Sequence, residues 1–369
     1  MKYKILTIVG TRPNFIKITQ FERVFGQYPD LFEYRLVHTG QHYDEKMSQV
    51  FFEQLKLRQP DYYLNIAAGH PAEQMGRIMQ SLTQVMQEWM PDLMIVVGDV
   101  NSTFAAALVA NKMGVKFAHV ESGLRSRDRS MPEEINRILT DEIADVFFVT
   151  EQSGYDNLIE DGKKPEQLFF VGNTMIDTLV GFDEAIQASP IMETLGVKSG
   201  EYVLMTMHRP ANVDFKEELL KLHHLIEFIG KRRPVVLPLH PRTKHRLIKF
   251  GLWENFQKIP NLILSGPMDY LAFQKLISHS FFVLTDSGGI QEETTFRQVP
   301  CLTLRPNTER PSTITLGTNE LVTFDTALIE SRITKIENGT YKKGVIPPYW
   351  DGKATERIVE SILQVFSEA

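Results

Sequence analysis

A chain of 369 residues, 43% apolar and 23% charged, is long enough for two or three domains with cores of their own and is ordinary for a globular protein. Forty basic against 46 acidic side chains give a formal charge of -6, which excludes a global basic field for nucleic acid. No stretch approaches the length of a membrane span, and the apolar run at residues 5–9 is too short for a signal-peptide core, so the expected location is cytoplasmic. The single cysteine, Cys301, excludes an intramolecular disulfide and a cysteine metal cluster and reads as buried strand filler.

Residues 4–9 read as an apolar strand, Gly10-Thr11-Arg12-Pro13 as a tight turn, and residues 14–25 as a helix with Phe15, Ile18 and Phe21 on its apolar face. This βα unit has a lone Gly10 instead of G-x-G-x-x-G, so a nicotinamide dinucleotide is not expected. Arg12 and Lys17 offer cations to a phosphate in its place. Residues 34–38 form the next strand, followed by Thr39-Gly40-Gln41-His42 and a helix from about residue 43 to 55. The helix at 72–89 carries Met75, Ile78, Met79, Leu82, Val85 and Met86 at helical spacing, which is a core stripe.

The continuous apolar run 93–97 suits a parallel strand covered on both faces and ends in Gly98-Asp99. An alanine-rich helix at 101–112 leads to a strand at 117–120 that runs into Glu121-Ser122-Gly123-Leu124-Arg125. After the basic loop Arg125-Ser126-Arg127-Asp128-Arg129, Pro132-Glu133-Glu134 opens a helix in the usual way, proline first and acids behind it. A strand at 146–150 and the segment 169–173 close a first domain, 1–172. Alternating strands and helices predict a doubly wound sheet, where ligands sit outside the carboxyl ends of the strands. Asp99 and Glu121 occupy that position on two successive strands.

The second domain, 173–353, repeats the pattern after a helix at 175–182 and a connecting region at 186–200. Its strand at 202–207 runs into His208-Arg209-Pro210, and its strand at 235–239 into His240-Pro241-Arg242. Strands at 262–264 and 281–284 flank a helix at 269–278, and a further strand at 300–304 precedes Arg305 and Thr308-Glu309-Arg310-Pro311. The stretch Asp286-Ser287-Gly288-Gly289-Ile290-Gln291-Glu292-Glu293 reads as a phosphate cradle, with two glycines that let the backbone turn and be approached closely. The helix starting near Ile290 adds free N–H groups and the positive end of its dipole. Glu292 and Glu293, a turn further in, suit sugar hydroxyls, and phosphate plus sugar means a nucleotide. A closing helix at 354–366 is expected to cross back to the first domain.

Taken together in chain order, Gly10-Thr11-Arg12-Pro13, Thr39-Gly40-Gln41-His42, Gly98-Asp99, His119-Val120-Glu121-Ser122-Gly123-Leu124-Arg125, Pro132-Glu133-Glu134-Ile135-Asn136-Arg137, Gly172-Asn173-Thr174, His208-Arg209, the 286–293 stretch and Thr308-Glu309-Arg310-Pro311 carry a resemblance. The chain resembles the non-hydrolysing UDP-N-acetylglucosamine 2-epimerases over essentially its whole length. The resemblance implies an α/β GT-B fold, two Rossmann-like doubly wound domains with a central cleft, and a homodimer. It assigns Asp99, Glu121 and Glu133 to acid–base roles and His208 to the diphosphate and catalysis. Arg12, Lys17, Ser287, Gly288, Gly289 and Arg310 would hold phosphates or the sugar pocket, Glu292 the ribose, and Phe273 the neighbourhood of the uracil.

Carbon 2 of an N-acetylhexosamine has no adjacent carbonyl, so its proton is not acidic. Without a nicotinamide site, elimination of UDP to 2-acetamidoglucal and re-addition on the other face is the expected route, with no cofactor and no metal. The basic 125–131 loop and Pro238-Leu239-His240-Pro241-Arg242 also resemble relatives acting on UDP-diacetamido-glucuronate, the runner-up substrate. A GT-B glycosyltransferase is a further alternative, against which the trio Asp99, Glu121 and Glu133 argues. The resemblance also suggests a place in polysaccharide synthesis.

Overall fold

The computed structural model describes residues 2–40, 54–66 and 69–367, so Gln41, His42 and most of the helix expected from about 43 to 55 lie outside the described residues. The chain divides into two units, Met1–Gly181 with Pro348–Ala369, and Phe182–Pro347.

In the first unit the described strands are β1 (Tyr3–Val9), β2 (Phe32–His38), β3 (Tyr62–Tyr63), β4 (Leu93–Val97), β5 (Phe117–Ser122), β6 (Val146–Val149) and β7 (Leu168–Phe170). They form one sheet in the order β3-β2-β1-β4-β5-β6-β7, with every pairing parallel. β4 is buried at all five positions because helices cover both sheet faces, which is why its sequence is apolar without alternation. On one face Leu6, Ile8, Met94 and Val96 pack against Leu82, Val85 and Met86 of the helix Pro71–Glu88, so the methionine-rich stripe is core.

The helix expected at 14–25 is two helices, Arg12–Ile18 and Phe21–Phe25. Thr178 donates to the Ile16 carbonyl, the acceptor that an unbroken helix would offer to Gln20, and Thr178 also meets the Thr19 hydroxyl at 2.6 Å. The C-terminal helix Ala354–Ser367 lies in this first unit. Its start is capped by the buried carboxylate of Asp177, which accepts the Ala354 and Thr355 N–H groups at 3.0 and 2.6 Å and the Thr355 hydroxyl at 2.7 Å.

The second unit carries β8 (Val203–Thr206), β9 (Val235–Pro238), β10 (Leu262–Ser265), β11 (Phe282–Thr285), β12 (Cys301–Leu304) and β13 (Asn319–Val322). Their order is β10-β9-β8-β11-β12-β13, again all parallel. Successive residues into and along β8 serve opposite faces: Val203 and Met205 join Leu222 and Ile226, whereas Leu204 and the preceding Tyr202 join Leu276 and Ile277. β13 was not expected, because Asn319-Glu320 breaks its apolar pattern, and the expected connecting region at 186–200 contains the helix Ile191–Leu195. Strand order reverses between β1 and β4 in one sheet and between β8 and β11 in the other, the two places where a doubly wound sheet opens a crevice at its carboxyl edge.

Candidate active site

In the first unit the predicted residues gather at that reversal. Asn14 fixes the turn after β1: its Oδ1 accepts the Gly10 and Thr11 N–H groups, both at 3.1 Å, and its Nδ2 donates to the Val97 carbonyl at 2.9 Å at the end of β4. Half-buried Arg12 opens the helix that follows, and its last turn carries Lys17, buried and paired with the buried carboxylate of Glu121. Glu121 has φ +69°, unusual for a residue with a side chain, and the β5–β6 register slips between Val120 and Ser122. Glu121 therefore sits on a bulge that breaks the ladder and re-aims its side chain, a conformation that costs roughly 1–3 kcal/mol and persists only where surroundings enforce it.

Gly98, between β4 and Asp99, has φ +69°, and a Cβ there would lie 3.1 Å from Lys17 Nζ and 3.4 Å from Glu121 Oε2. The backbone leading to Asp99 thus lies against the Lys17–Glu121 pair. Asp99 is paired with Arg137, and Asn136 donates to the Asp99 carbonyl at 3.0 Å, so the helix Pro132–Ile143 abuts Asp99. Glu133 lies four residues before Arg137 on the same helical face and is exposed. Its neighbour Glu134 is buried and structural, accepting Ser126 N–H at 2.7 Å and Arg127 N–H at 3.0 Å. Two arginines of the basic loop are already committed: Arg125 binds Asp141 at 2.6 Å and Asp161 at 2.8 Å, and Arg127 meets Asn157 at 2.9 Å and Glu160 at 3.3 Å.

In the second unit His208 follows β8 and Asp286 follows the adjacent β11, and His208 Nδ1 lies 2.8 Å from Asp286 Oδ1. The other oxygen of Asp286 accepts the His208 and Arg209 N–H groups at 3.0 and 2.8 Å and the Asn212 amide at 3.2 Å. Burial would raise the Asp286 carboxyl, but the hydrogen bond and charge of His208 and the two backbone donors hold it below the usual carboxylate range. The His208 side chain is 40% exposed, and the His240 ring lies 5.4 Å away, centre to centre. Burial and the neighbouring His208 depress the protonation of His240, whose Nδ1 accepts Arg242 N–H at 3.1 Å.

The helix of the cradle is Gly289–Arg297, starting one residue earlier than expected, with Ser287 and Gly288 half-buried before it. Gly288 has no left-handed backbone; its need is for space, since a Cβ would meet Glu309 Oε1 at 3.1 Å and Arg310 Nη1 at 3.2 Å. Glu292 is buried and bonds Arg310 Nε at 2.7 Å; Arg310 also pairs with Glu309, which holds Arg305 at 3.0 Å. Gln291 ties the segment down, its Oε1 accepting from Thr308 at 2.8 Å and Asn319 at 2.9 Å. Phe273 is half-buried in the helix Tyr270–His279 and packs on the core that includes Leu276 and Ile290.

A family model described as UDP-N-acetylglucosamine 2-epimerase matches residues 27–363. The chain belongs to this family. It is accordingly an isomerase of the epimerase kind. It is similar to the UDP-N-acetylglucosamine 2-epimerase of Methanocaldococcus jannaschii, 39% identical over 363 residues and spanning 96% of this chain and 98% of the relative. The crystal structure of the M. jannaschii UDP-GlcNAc 2-epimerase in complex with UDP-GlcNAc and UDP superposes with a TM-score of 0.87 at 38% identity, covering 98% and 99% of the two chains. The UDP-2,3-diacetamido-2,3-dideoxy-D-glucuronate 2-epimerase of Pseudomonas aeruginosa is 38% identical over 370 residues, covering 98% of this chain and all of the relative. The architecture, two parallel doubly wound sheets, is that of the GT-B epimerases.

The partners of the predicted residues escaped the sequence reading. Asp286 was visible as the end of a strand, but its bond to His208 follows from β8 lying beside β11, which local pattern does not disclose. The same holds for Arg137 against Asp99 and for Glu292 against Arg310.

Proposed function

We propose that the chain interconverts UDP-N-acetylglucosamine and UDP-N-acetylmannosamine by eliminating UDP to 2-acetamidoglucal and adding it back. The observation that carries this reading is the provision of two carboxylates with unlike cations at adjacent strand ends, Asp99 with Arg137 and Glu121 with Lys17. A guanidinium keeps its proton, whereas an ammonium beside a buried carboxylate can share one. Asp99, paired with Arg137, supports positive charge developing at C1, while Glu121 with Lys17 relays the C2 proton and Glu133 serves the second face. In the second unit, His208 held by Asp286 donates to the departing diphosphate, and Ser287, Gly288 and Gly289 receive the phosphates at the helix N-terminus. Arg310 fixes the carboxylate of Glu292 for the ribose hydroxyls, and Phe273 borders the uracil.

The diacetamido-glucuronate reading would need a cation for the C6 carboxylate. Of the basic residues behind that reading, Arg125 and Arg127 are bound to acids of their own unit and Arg242 to Asp214 at 2.6 Å, which favours the uncharged sugar. The test is kcat/KM for the two UDP-sugars with the purified chain. A preference for UDP-N-acetylglucosamine of about tenfold or more is expected, and turnover of the glucuronate alone would reverse the assignment.

A further inference from the structure

The strained Glu121 is bracketed by two residues bound to one buried carboxylate. His119, two positions before it, places Nδ1 at 2.6 Å from Asp141 Oδ1; Gly123, two positions after it, donates its N–H to Asp141 Oδ2 at 3.0 Å. Arg125 Nη1 reaches that same Oδ2 at 2.6 Å. Asp141 comes from the helix Pro132–Ile143, the element that also supplies Arg137 and Asn136 to Asp99. The other ring nitrogen of His119, Nε2, lies 2.8 Å from the carbonyl of Gly98, the residue before Asp99. A carbonyl oxygen is only an acceptor, and Asp141 is ionised by its neighbours: burial pushes its carboxyl up, but His119 and Arg125 pull it below the usual range. His119 thus spans Asp141 and the Gly98 carbonyl, one partner on each ring nitrogen. His119 and Asp141 are both within 1% of full burial, so neither touches a substrate.

We propose that Asp141 and His119 form a staple that clamps the Glu121 bulge and ties it to the strand end bearing Asp99, making both positioning residues for the acid–base pair. The inference rests on the epimerase reading for its effect on turnover, but not for the staple itself. Without the staple, the left-handed backbone of Glu121 would relax toward ordinary strand geometry and withdraw the carboxylate from Lys17 and Gly98. A displacement of this kind costs rate, not nucleotide affinity, because the phosphate cradle is in the other unit.

The test uses the full chain with 15N-labelled histidine, His119 being assigned by its loss in His119→Gln. Both ring nitrogens of His119 are expected to be hydrogen-bonded in the unsubstituted protein, and a ring nitrogen without a hydrogen bond overturns the proposal. In Asp141→Asn and His119→Gln, kcat is expected to fall roughly 100-fold with KM changed by less than about threefold. The kinetic isotope effect of C2-deuterated substrate on kcat should rise as C–H cleavage becomes limiting. A fall in kcat with an unchanged isotope effect would mean fewer intact molecules and would contradict a positioning role. If a variant does not fold, amide hydrogen exchange of the unsubstituted protein keeps the proposal falsifiable: the Gly123 N–H bound to Asp141 is expected to exchange slowly, and fast exchange contradicts the staple. An unsubstituted enzyme that exchanges no C2 proton sinks the epimerase reading independently of the staple.

Discussion

Asp286 is wholly buried at the end of β11 and directs both oxygens at the segment that follows β8. Its bond to Nδ1 orients the His208 ring, which on the proposed reading would serve the leaving group through Nε2. Asp286→Asn is expected to lower kcat roughly 10²–10⁴-fold, the usual worth of a positioned acid, while UDP affinity measured by calorimetry stays nearly constant. A second buried acid has a consequence for stability. Burial, aided by Glu292, raises Glu293 to about 7 despite Gln274 and Arg297. A carboxyl held above its ordinary value binds its proton more tightly when folded, so it favours the folded state below about pH 4.5, and that contribution is lost as pH rises toward 7. Glu293→Gln should flatten this limb, leaving the variant more stable than its parent at pH 8 by an amount on the order of 3 kcal/mol. Urea unfolding across this range would show it, and parallel pH profiles would contradict it.

The elements that hold the site are strand ends whose loops are fixed from a distance. Gly288 can bear no Cβ without moving the heads of Glu309 and Arg310, which are locked to Arg305 and Glu292. Gly288→Ala should therefore weaken UDP binding about tenfold, near 1.4 kcal/mol, with a thermal midpoint close to the parent's; unchanged affinity would show that the charged cluster gives way freely. Most elements were legible in sequence because burial on both sheet faces writes continuous apolar runs such as Leu93–Val97. Those that were not legible depended on partners far along the chain. The break at Thr19-Gln20 comes from Thr178, and the polar strand Asn319–Val322 is held by pairing with β12. The bulge at Glu121 left no mark in composition, since no glycine supplies its left-handed φ.

Across the whole molecule one plan is used twice: a parallel sheet whose strand order reverses, with the candidate side chains at the ends of strands at or next to the reversal, β1, β4 and β5 in one sheet and β8 and β11 in the other. The first sheet carries carboxylates there and the second a histidine and an anion cradle, a division that strand-end residues already announced in the sequence. What the sequence could not give is which acid meets which base where the two are far apart in the chain, by 16 residues for Arg125 with Asp141, 78 for the contact of His208 with Asp286 and 104 for Lys17 with Glu121. The chain's return to its first unit depends on one such pair. Asp177 caps the helix Ala354–Ser367, and Asp177→Ala should cost about 2 kcal/mol, read as a lower unfolding midpoint with kcat per folded molecule unchanged; an unaltered midpoint would show that Trp350, whose indole donates to the Thr150 carbonyl at 3.0 Å, anchors the segment alone. The central claim, that the carboxylates at β4 and β5 remove and return a C2 proton while UDP departs and comes back, is tested most directly by proton NMR of the purified protein with UDP-N-acetylglucosamine in deuterated water. The account predicts UDP-N-acetylmannosamine with deuterium at C2. Epimerisation that keeps the original hydrogen, or release of free N-acetylmannosamine with UDP, would contradict it.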